Sequence, residues 1–278
     1  MIYEVYDSKI IVKDLTHFVP KHILECGQMF RYVKNSNNYK VFSKNYSCIL
    51  IIDKFSVIIN TSDVEYFVEY FDLDRDYSVI TDRLSSYQIL KDATTFGRGI
   101  RILRQNPVET IFSFIISANN NISRIRQIIE NLCVKFGTKM GDYYAFPTIE
   151  SLVKNATLDS LKDTGIGYRA SYLIKTAHLL NEGFNLDISH MSTGDARQHL
   201  MQLPGVGPKV ADCILLFGYA RYDVFPTDTW ISKAYNELYD NEKLSRTHIA
   251  KKFVDEFGDI AGFAQQYLFY SYRERNNI

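Results

Sequence analysis

The chain has 278 residues, of which 46% are hydrophobic, enough to bury a large core shared by two or three packed subdomains. Its formal net charge of +0 gives no electrostatic reason to expect a nucleic-acid partner, so any basic surface must come from local clustering. The four cysteines lie too far apart for a zinc pair or an iron–sulfur run, and no apolar stretch approaches the length of a membrane span.

The predicted elements change character near residue 62. Residues 1–60 contain short segments rich in β-branched and aromatic residues, among them KIIV, MFRYV and SCILII, which predict an antiparallel sheet. Later segments, from ETIFSFIISA through NISRIRQIIENLCVKFG to AGFAQQYLFYSYRE, have helical periodicity. We therefore expect an α+β fold, with an N-terminal antiparallel sheet domain over residues 1–90 and a mostly helical region over 91–278.

The stretch LPGVGPKVAD, residues 203–212, places two glycines in a tight turn between helical segments. It predicts a helix–hairpin–helix over about residues 195–218. Gly205, Val206 and Gly207 would let the backbone approach a DNA phosphate, which the amides opening the second helix would bind without reading sequence. An ordinary connection between two helices is the alternative interpretation.

Two charged residues form a candidate catalytic pair. Lys209 starts the second hairpin helix, and Asp228 follows nineteen residues later in FPTDTW. A helix of roughly 15 Å and a short loop can return the carboxylate beside the amine. A partly buried amine can attack sugar C1′, and Asp228 would stabilise the positive charge that develops on the sugar. Taken singly, Lys209 is more typical of a solvated helix start and Asp228 of an N-cap.

Together these motifs resemble a known family. LPGVGPKVADCI followed by VFPTDTW is similar to the helix–hairpin–helix glycosylases, specifically the eukaryotic-type 8-oxoguanine DNA glycosylase/AP lyase group. Other stretches resemble that family in its order, namely GQMFR, GIRILRQ, FSFIISANNNISRI, GIGYRA and AGFAQQYLF. The resemblance covers the chain from about residue 22 onward. It implies a bifunctional enzyme that flips out and excises 8-oxoguanine and then cleaves the strand by β-elimination.

The resemblance also assigns residues that hold the opened DNA. Asn119 matches the asparagine that fills the gap left by the flipped base, and Tyr168 matches the aromatic wedge beside it. Arg124 and Arg169 match the pair that hydrogen-bonds the unpaired cytosine, which implies a preference for damage opposite cytosine. Without the resemblance, the asparagine run would be a helix break and both arginines solvated side chains.

Four residues match the family's base pocket. Phe269 and Cys213 correspond to the residues that sandwich the purine, and Gln265 to the side chain that faces its Watson–Crick edge. The Gly27 carbonyl corresponds to the acceptor for N7–H, a donor that 8-oxoguanine has and guanine lacks. Read alone, Cys213 and Phe269 are more typical of core positions.

The chain departs from the vertebrate pattern at Trp230, where those relatives have a histidine two residues after the aspartate. A phosphate contact is therefore missing or replaced by stacking. No redox cofactor or catalytic metal is implied, and the hairpin carbonyls of Met201, Leu203 and Val206 would suit a structural cation in the family manner. The absence of a four-cysteine tail argues against the iron–sulfur branch.

Two rival functions stay open. An alkylpurine DNA glycosylase would use the same hairpin and aspartate but usually lacks the lysine, and a non-catalytic DNA-binding protein would use the hairpin alone. We expect a monomer that binds double-stranded DNA containing damaged guanine, without a membrane partner. The opening MIYEVYDSKI has no signal-peptide pattern, so we expect reduced thiols in a bacterial-type cytoplasm.

Overall fold

Eight short strands are present in the computed structural model, which describes residues 2–239 and 242–276. They are β1 (Tyr3–Tyr6), β2 (Lys9–Val12), β3 (Tyr32–Asn35), β4 (Asn38–Ser43), β5 (Tyr46–Ile52), β6 (Val57–Asn60), β7 (Lys139–Met140) and β8 (Tyr143–Tyr144). The first six form one antiparallel sheet in the order β1-β2-β6-β5-β4-β3, and β7 and β8 form a separate hairpin. The predicted N-terminal antiparallel sheet is confirmed.

Alternation of side chains explains why this sheet has one buried face. Ile10 pairs with Ile59, which pairs on its other side with Leu50, and all three are buried. Ile49, one position along β5, points to the other face and is exposed. Phe67, on the helix that follows the sheet, belongs to the same buried cluster, so that helix covers the apolar face.

Thirteen α-helices lie within the described residues. They are α1 (Pro20–Leu24), α2 (Val64–Tyr70), α3 (Tyr77–Ser85), α4 (Lys91–Phe96), α5 (Pro107–Ser117), α6 (Ile122–Phe136), α7 (Ile149–Asn155), α8 (Ala170–Asn181), α9 (Thr193–Leu200), α10 (Pro208–Gly218), α11 (Thr229–Leu238), α12 (Arg246–Phe257) and α13 (Ala261–Arg275). The fold is therefore α+β, as predicted.

Buried apolar side chains form two clusters, one against the sheet and a larger one in the helical body. The clusters interleave along the chain, because Tyr77 and Leu84 of α3 belong to the larger one whereas Leu103 belongs to the sheet cluster. The domain boundary expected at residue 90 stays a prediction.

Helix α10 is the element that positions the candidate site. Its residues 210–217 are all buried, and it packs against α5 and α9. Its first turn reaches the surface, and Lys209 lies there. Across residues 2–239 and 242–276, the structure contains no helix with both the length and the apolar character that crossing a membrane requires.

Candidate active site

The turn between α9 and α10 forms the predicted hairpin. Gly205 has a φ of +85°, and a Cβ atom there would lie 2.9 Å from the Tyr172 ring. A Cβ atom on Gly207 would meet nothing within 4 Å, so this backbone is open to an approaching phosphate. The Val206 amide closes the turn by donating to the Leu203 carbonyl at 3.0 Å. The phosphate contacts of the three turn residues stay predictions.

Alanine substitutions should separate the role of Gly205 in the conformation of the turn from the role of Gly207 in DNA contact. We expect Gly205→Ala to lower the free energy of unfolding by about 2 to 3 kcal/mol, because its φ and the Tyr172 ring both oppose a Cβ. Gly207→Ala should cost less than about 1 kcal/mol but weaken DNA binding, since the methyl group would occupy the open face. Thermal unfolding and binding to a duplex with a tetrahydrofuran abasic analogue measure both effects. Equal loss of stability in the two variants would contradict the assignment of the structural role to Gly205 and of the DNA contact to Gly207.

Lys209, the second residue of α10, is half-buried, and its amine lies 5.4 Å from the centre of the Phe114 ring. The amine is within hydrogen-bonding reach of the Cys213 thiol, one turn further along α10. Burial raises the pKa of Cys213 to about 11. The thiol is therefore protonated at neutral pH and a poor nucleophile.

Asp228 approaches the same point from α11. It is the N-cap of that helix, where its side chain accepts a hydrogen bond from the Ile231 amide at 3.0 Å, and it is half-buried. Its charge and that of Lys209 both act on the Cys213 thiol, so the first turns of α10 and α11 converge there. The N-cap interpretation is correct, and it is compatible with catalysis because one carboxylate oxygen suffices for the cap.

The segment around Gly27 reaches α13 from the N-terminal part of the chain. Gly27 has a φ of +87°, and a Cβ atom there would lie 2.9 Å from the Arg273 guanidinium and 3.1 Å from the Phe269 ring. Gln265 is 5% exposed and donates to the Pro226 carbonyl at 3.1 Å, while its Oε1 atom has no partner among the described residues. Gly27 therefore lies against Phe269, and the unpaired Gln265 Oε1 atom lies one helical turn from Phe269 on α13.

Side-chain amides fix the backbone on both sides of Gly27. Gln266 donates to the Cys26 carbonyl at 2.9 Å, and Gln105 donates to the Gln28 carbonyl at 2.7 Å. The hydrogen bonds within residues 2–239 and 242–276 include none to the Gly27 carbonyl itself. Because its neighbours are held, this carbonyl is a rigid acceptor, which is what discrimination by a single hydrogen bond requires.

Residues expected to hold the opened DNA cluster near the connection between α5 and α6. Asn119 is exposed with a φ of +50°, and Tyr168 is 59% exposed. Arg124 is also exposed, and its Nη2 group donates to the Gly165 carbonyl at 3.4 Å. Arg169 is instead 4% exposed, stacks on Tyr168, and donates to backbone carbonyls that include that of Asn119. The solvated alternative is therefore wrong for Arg169, and the cytosine contacts of both arginines stay predictions.

Trp230 packs against α13 instead of standing free. Its ring meets that of Tyr272 at a centroid distance of 6.4 Å and an interplanar angle of 63°. The Lys233 amine lies 5.0 Å from the centre of the Trp230 ring. Replacement of a phosphate contact by stacking at this position stays a prediction.

A cavity of about 610 Å³ opens beside Lys209, between α10 and α12. Two of its lining cations are paired with carboxylates, Arg197 with Asp212 and Lys251 with Asp255. Lys209 and Arg246 line it as well, so the lining keeps an excess of positive charge. This is the kind of local clustering that a chain of zero net charge needs in order to attract DNA phosphates.

Metal ligands are sparse in this region. Within the described part of the chain, no group of three or more His, Cys, Asp or Glu side chains is placed to hold a metal ion. The hairpin carbonyls of Met201, Leu203 and Val206 offer hard oxygen ligands, which fit a structural cation. That cation stays a prediction, and the Leu203 carbonyl already accepts the Val206 amide.

Two residues near the site had no predicted role, namely Phe114 beneath the Lys209 amine and Arg273 beside Gly27. Phe114 lies in an apolar helix whose sequence predicts only core packing, so nothing marks it. Arg273 follows Phe269 by four residues on α13. That spacing places both on one helix face, and it is the signal that could have identified Arg273.

Comparison with known families agrees with the geometry. Residues 10–111 match the N-terminal domain of 8-oxoguanine DNA glycosylase, and residues 112–258 match the HhH-GPD superfamily of base excision DNA repair proteins. The chain belongs to the 8-oxoguanine glycosylase branch of the HhH-GPD superfamily. The helix–hairpin–helix of this family is the α9–α10 hairpin described above.

Individual members support this placement. The N-glycosylase/DNA lyase of Saccharomyces cerevisiae is 32% identical over 310 residues, covering 89% of this chain and 81% of that protein. The 8-oxoguanine glycosylase/lyase of Clostridium acetobutylicum, solved with double-stranded DNA containing cytosine opposite 8-oxoguanine, is 40% identical with a TM-score of 0.93, covering 100% of this chain and 99% of that chain.

A more distant solved structure shares the fold. The 3-methyladenine DNA glycosylase of Archaeoglobus fulgidus is 18% identical with a TM-score of 0.75, covering 95% of this chain and 98% of that chain. At this identity the likeness concerns the fold alone.

Proposed function

We propose that this chain is a bifunctional DNA glycosylase/AP lyase that excises 8-oxoguanine, preferentially opposite cytosine, by base flipping, attack of Lys209 at C1′ and β-elimination. The observation that carries the proposal is the Lys209 amine itself. This amine is half-buried over Phe114 and within hydrogen-bonding reach of the Cys213 thiol. The Asp228 carboxylate acts on the same thiol.

Base release follows from this arrangement. The neutral Lys209 nitrogen forms a bond to C1′ as the glycosidic bond breaks, and the electron pair of that bond leaves with the base, which takes up a proton. Positive charge develops on the sugar during this step. The Asp228 carboxylate, held at a helix N-terminus, lowers its energy and relays the proton.

Strand cleavage uses the same covalent bond. The attached amine loses a proton and the sugar ring opens, which gives a Schiff base between Lys209 and C1′. This imine acidifies the C2′ hydrogen, so removal of a C2′ proton expels the 3′ phosphate by β-elimination. Water then hydrolyses the imine and restores the amine.

The pocket selects the base by hydrogen-bond polarity. The fixed Gly27 carbonyl accepts N7–H of 8-oxoguanine and repels the bare N7 lone pair of guanine. Phe269 and Cys213 stack on the purine, and the unpaired Gln265 Oε1 accepts from its Watson–Crick edge. An alkylated purine does not present this N7–H, which argues against the alkylpurine alternative.

The setting of the enzyme is part of the proposal. We assign it as a monomer acting on double-stranded DNA in a bacterial-type cytoplasm, with no redox cofactor or catalytic metal. Its four cysteines are all buried and free, as expected in a reducing compartment.

Borohydride trapping tests the activity. Incubation with a duplex carrying 8-oxoguanine opposite cytosine should give a covalent protein–DNA adduct, because borohydride reduces the Schiff base to a stable amine. Duplexes that carry alkylated purines serve as the comparison. No adduct from protein that binds DNA would refute the lyase mechanism, and release of alkylated purines without any adduct would favour the rival glycosylase.

The opposite base should matter. We expect excision opposite cytosine to exceed excision opposite adenine by about 10-fold or more, the value of one lost charged hydrogen bond. Single-turnover rates for the four opposite bases measure the effect. Arg124→Gln should reduce the preference, with Lys135→Gln, which removes a positive charge at an exposed position of the same helix, as the control. Equal rates opposite cytosine and adenine would remove this part of the proposal.

A further inference from the structure

Two buried polar atoms without partners flank Phe269 on α13. One is Oε1 of Gln265, the acceptor assigned above to the Watson–Crick edge of the base. The other is Nη1 of Arg273, whose side chain belongs to a residue only 6% exposed. A buried donor without an acceptor is unfavourable, so it calls for a bound group that supplies one.

The rest of the Arg273 guanidinium is held in place. Its Nη2 group donates to the Glu25 carbonyl at 2.7 Å and to the Glu274 carboxylate at 2.8 Å, and Nε donates to the same carboxylate at 3.0 Å. These contacts fix the guanidinium plane. Nη1 is then the part that lies against Gly27, 2.9 Å from where a Cβ would be, with the guanidinium 5.4 Å from the centre of the Phe269 ring.

The spacing of Gln265 and Arg273 along α13 allows Gln265 Oε1 and Arg273 Nη1 to bind opposite edges of one purine. Gln265 and Arg273 are eight residues apart with Phe269 midway, a helix rise of roughly 12 Å. A purine stacked on Phe269 with its Watson–Crick edge at Gln265 turns its N7 and C8 edge toward Arg273. That distance accommodates the length of a purine and a hydrogen bond of about 2.9 Å at each end.

We propose that Arg273 is a further substrate-recognition residue, whose Nη1 group donates a hydrogen bond to the oxygen on C8 of the extruded base. The inference rests on the proposed function, because it takes N7–H to lie on the Gly27 carbonyl. An acceptor beside a donor is the pattern that 8-oxoguanine presents along this edge. Guanine has only a C–H at C8, so it leaves the buried Nη1 unpaired while its N7 faces the carbonyl.

The test compares Arg273→Met with Arg275→Met, a matched change at an exposed position of the same helix. We expect Arg273→Met to slow single-turnover excision of 8-oxoguanine about 10- to 100-fold, the value of a charged hydrogen bond. Cleavage of a preformed abasic site, which places no base in the pocket, should change less than about 3-fold, and Arg275→Met should change neither rate. Equal slowing of both reactions, or unchanged excision, would overturn the inference.

A second measurement does not depend on the folding of that variant. The structure of the Lys209→Gln protein with an 8-oxoguanine duplex should place Nη1 within about 3.2 Å of the C8 oxygen. A guanidinium turned away from the base would overturn the inference. The proposed function fails separately, if the unaltered protein excises no 8-oxoguanine at all.

Discussion

Lys209→Gln is expected to lower 8-oxoguanine excision by at least about 10³-fold, as removal of a nucleophile does. Glutamine keeps much of the side-chain length over Phe114, but its amide nitrogen has no available lone pair. The borohydride adduct should disappear completely, and cleavage of a preformed abasic site should be lost with it. Single-turnover rates and denaturing gels measure both effects.

The same variant should bind 8-oxoguanine duplexes as tightly as the unaltered protein, within about 3-fold, because the hairpin and the pocket remain. Lys233→Gln is the matched control, since Lys233 is exposed beside Trp230 on the neighbouring helix. It should leave both the rate and the adduct intact. An adduct that survives in Lys209→Gln would mean that another nitrogen attacks the sugar, and a non-catalytic role of the hairpin would leave no adduct in either protein.

Much of the fold follows from local pattern. The alternation that buries Ile10, Leu50 and Ile59 marks the sheet without reference to distant contacts. MFRYV shows the limit, because the strand begins only at Tyr32. Upstream of it, the Gln28 side chain bonds the backbone at Leu103 and so fixes the loop by a contact that no local pattern reveals.

The site likewise contains residues that local sequence signals predict and residues whose roles depend on distant contacts. Lys209 and Asp228 each begin a helix, and helix starts have local signals, so their convergence could be predicted from spacing. Arg169 could not, because its burial depends on carbonyls of a loop about fifty residues earlier. Arg273 lies in the last turn of α13, where an arginine usually only complements the helix dipole. Its role depends on the distant Gly27 segment.

Asp228→Asn should separate the charge of this residue from its structural role. Asparagine caps helices as well as aspartate does, so the free energy of unfolding should change by less than about 0.5 kcal/mol. Excision of 8-oxoguanine should nevertheless fall about 10²- to 10³-fold, because the neutral amide cannot stabilise the positive charge that develops on the sugar. Thermal unfolding and single-turnover excision measure the two quantities.

Asp228→Ala completes the comparison, because it removes the cap as well and should cost about 1 kcal/mol of stability. Its excision rate should match that of Asp228→Asn, since both lack the carboxylate. Cleavage of a preformed abasic site should fall less than excision in both variants, because that reaction breaks no glycosidic bond and Lys209 attacks an open-chain aldehyde. If activity instead followed stability, with Asp228→Asn fully active, Asp228 would act only as the N-cap of α11, and the proton and charge would have to be handled elsewhere in the cleft.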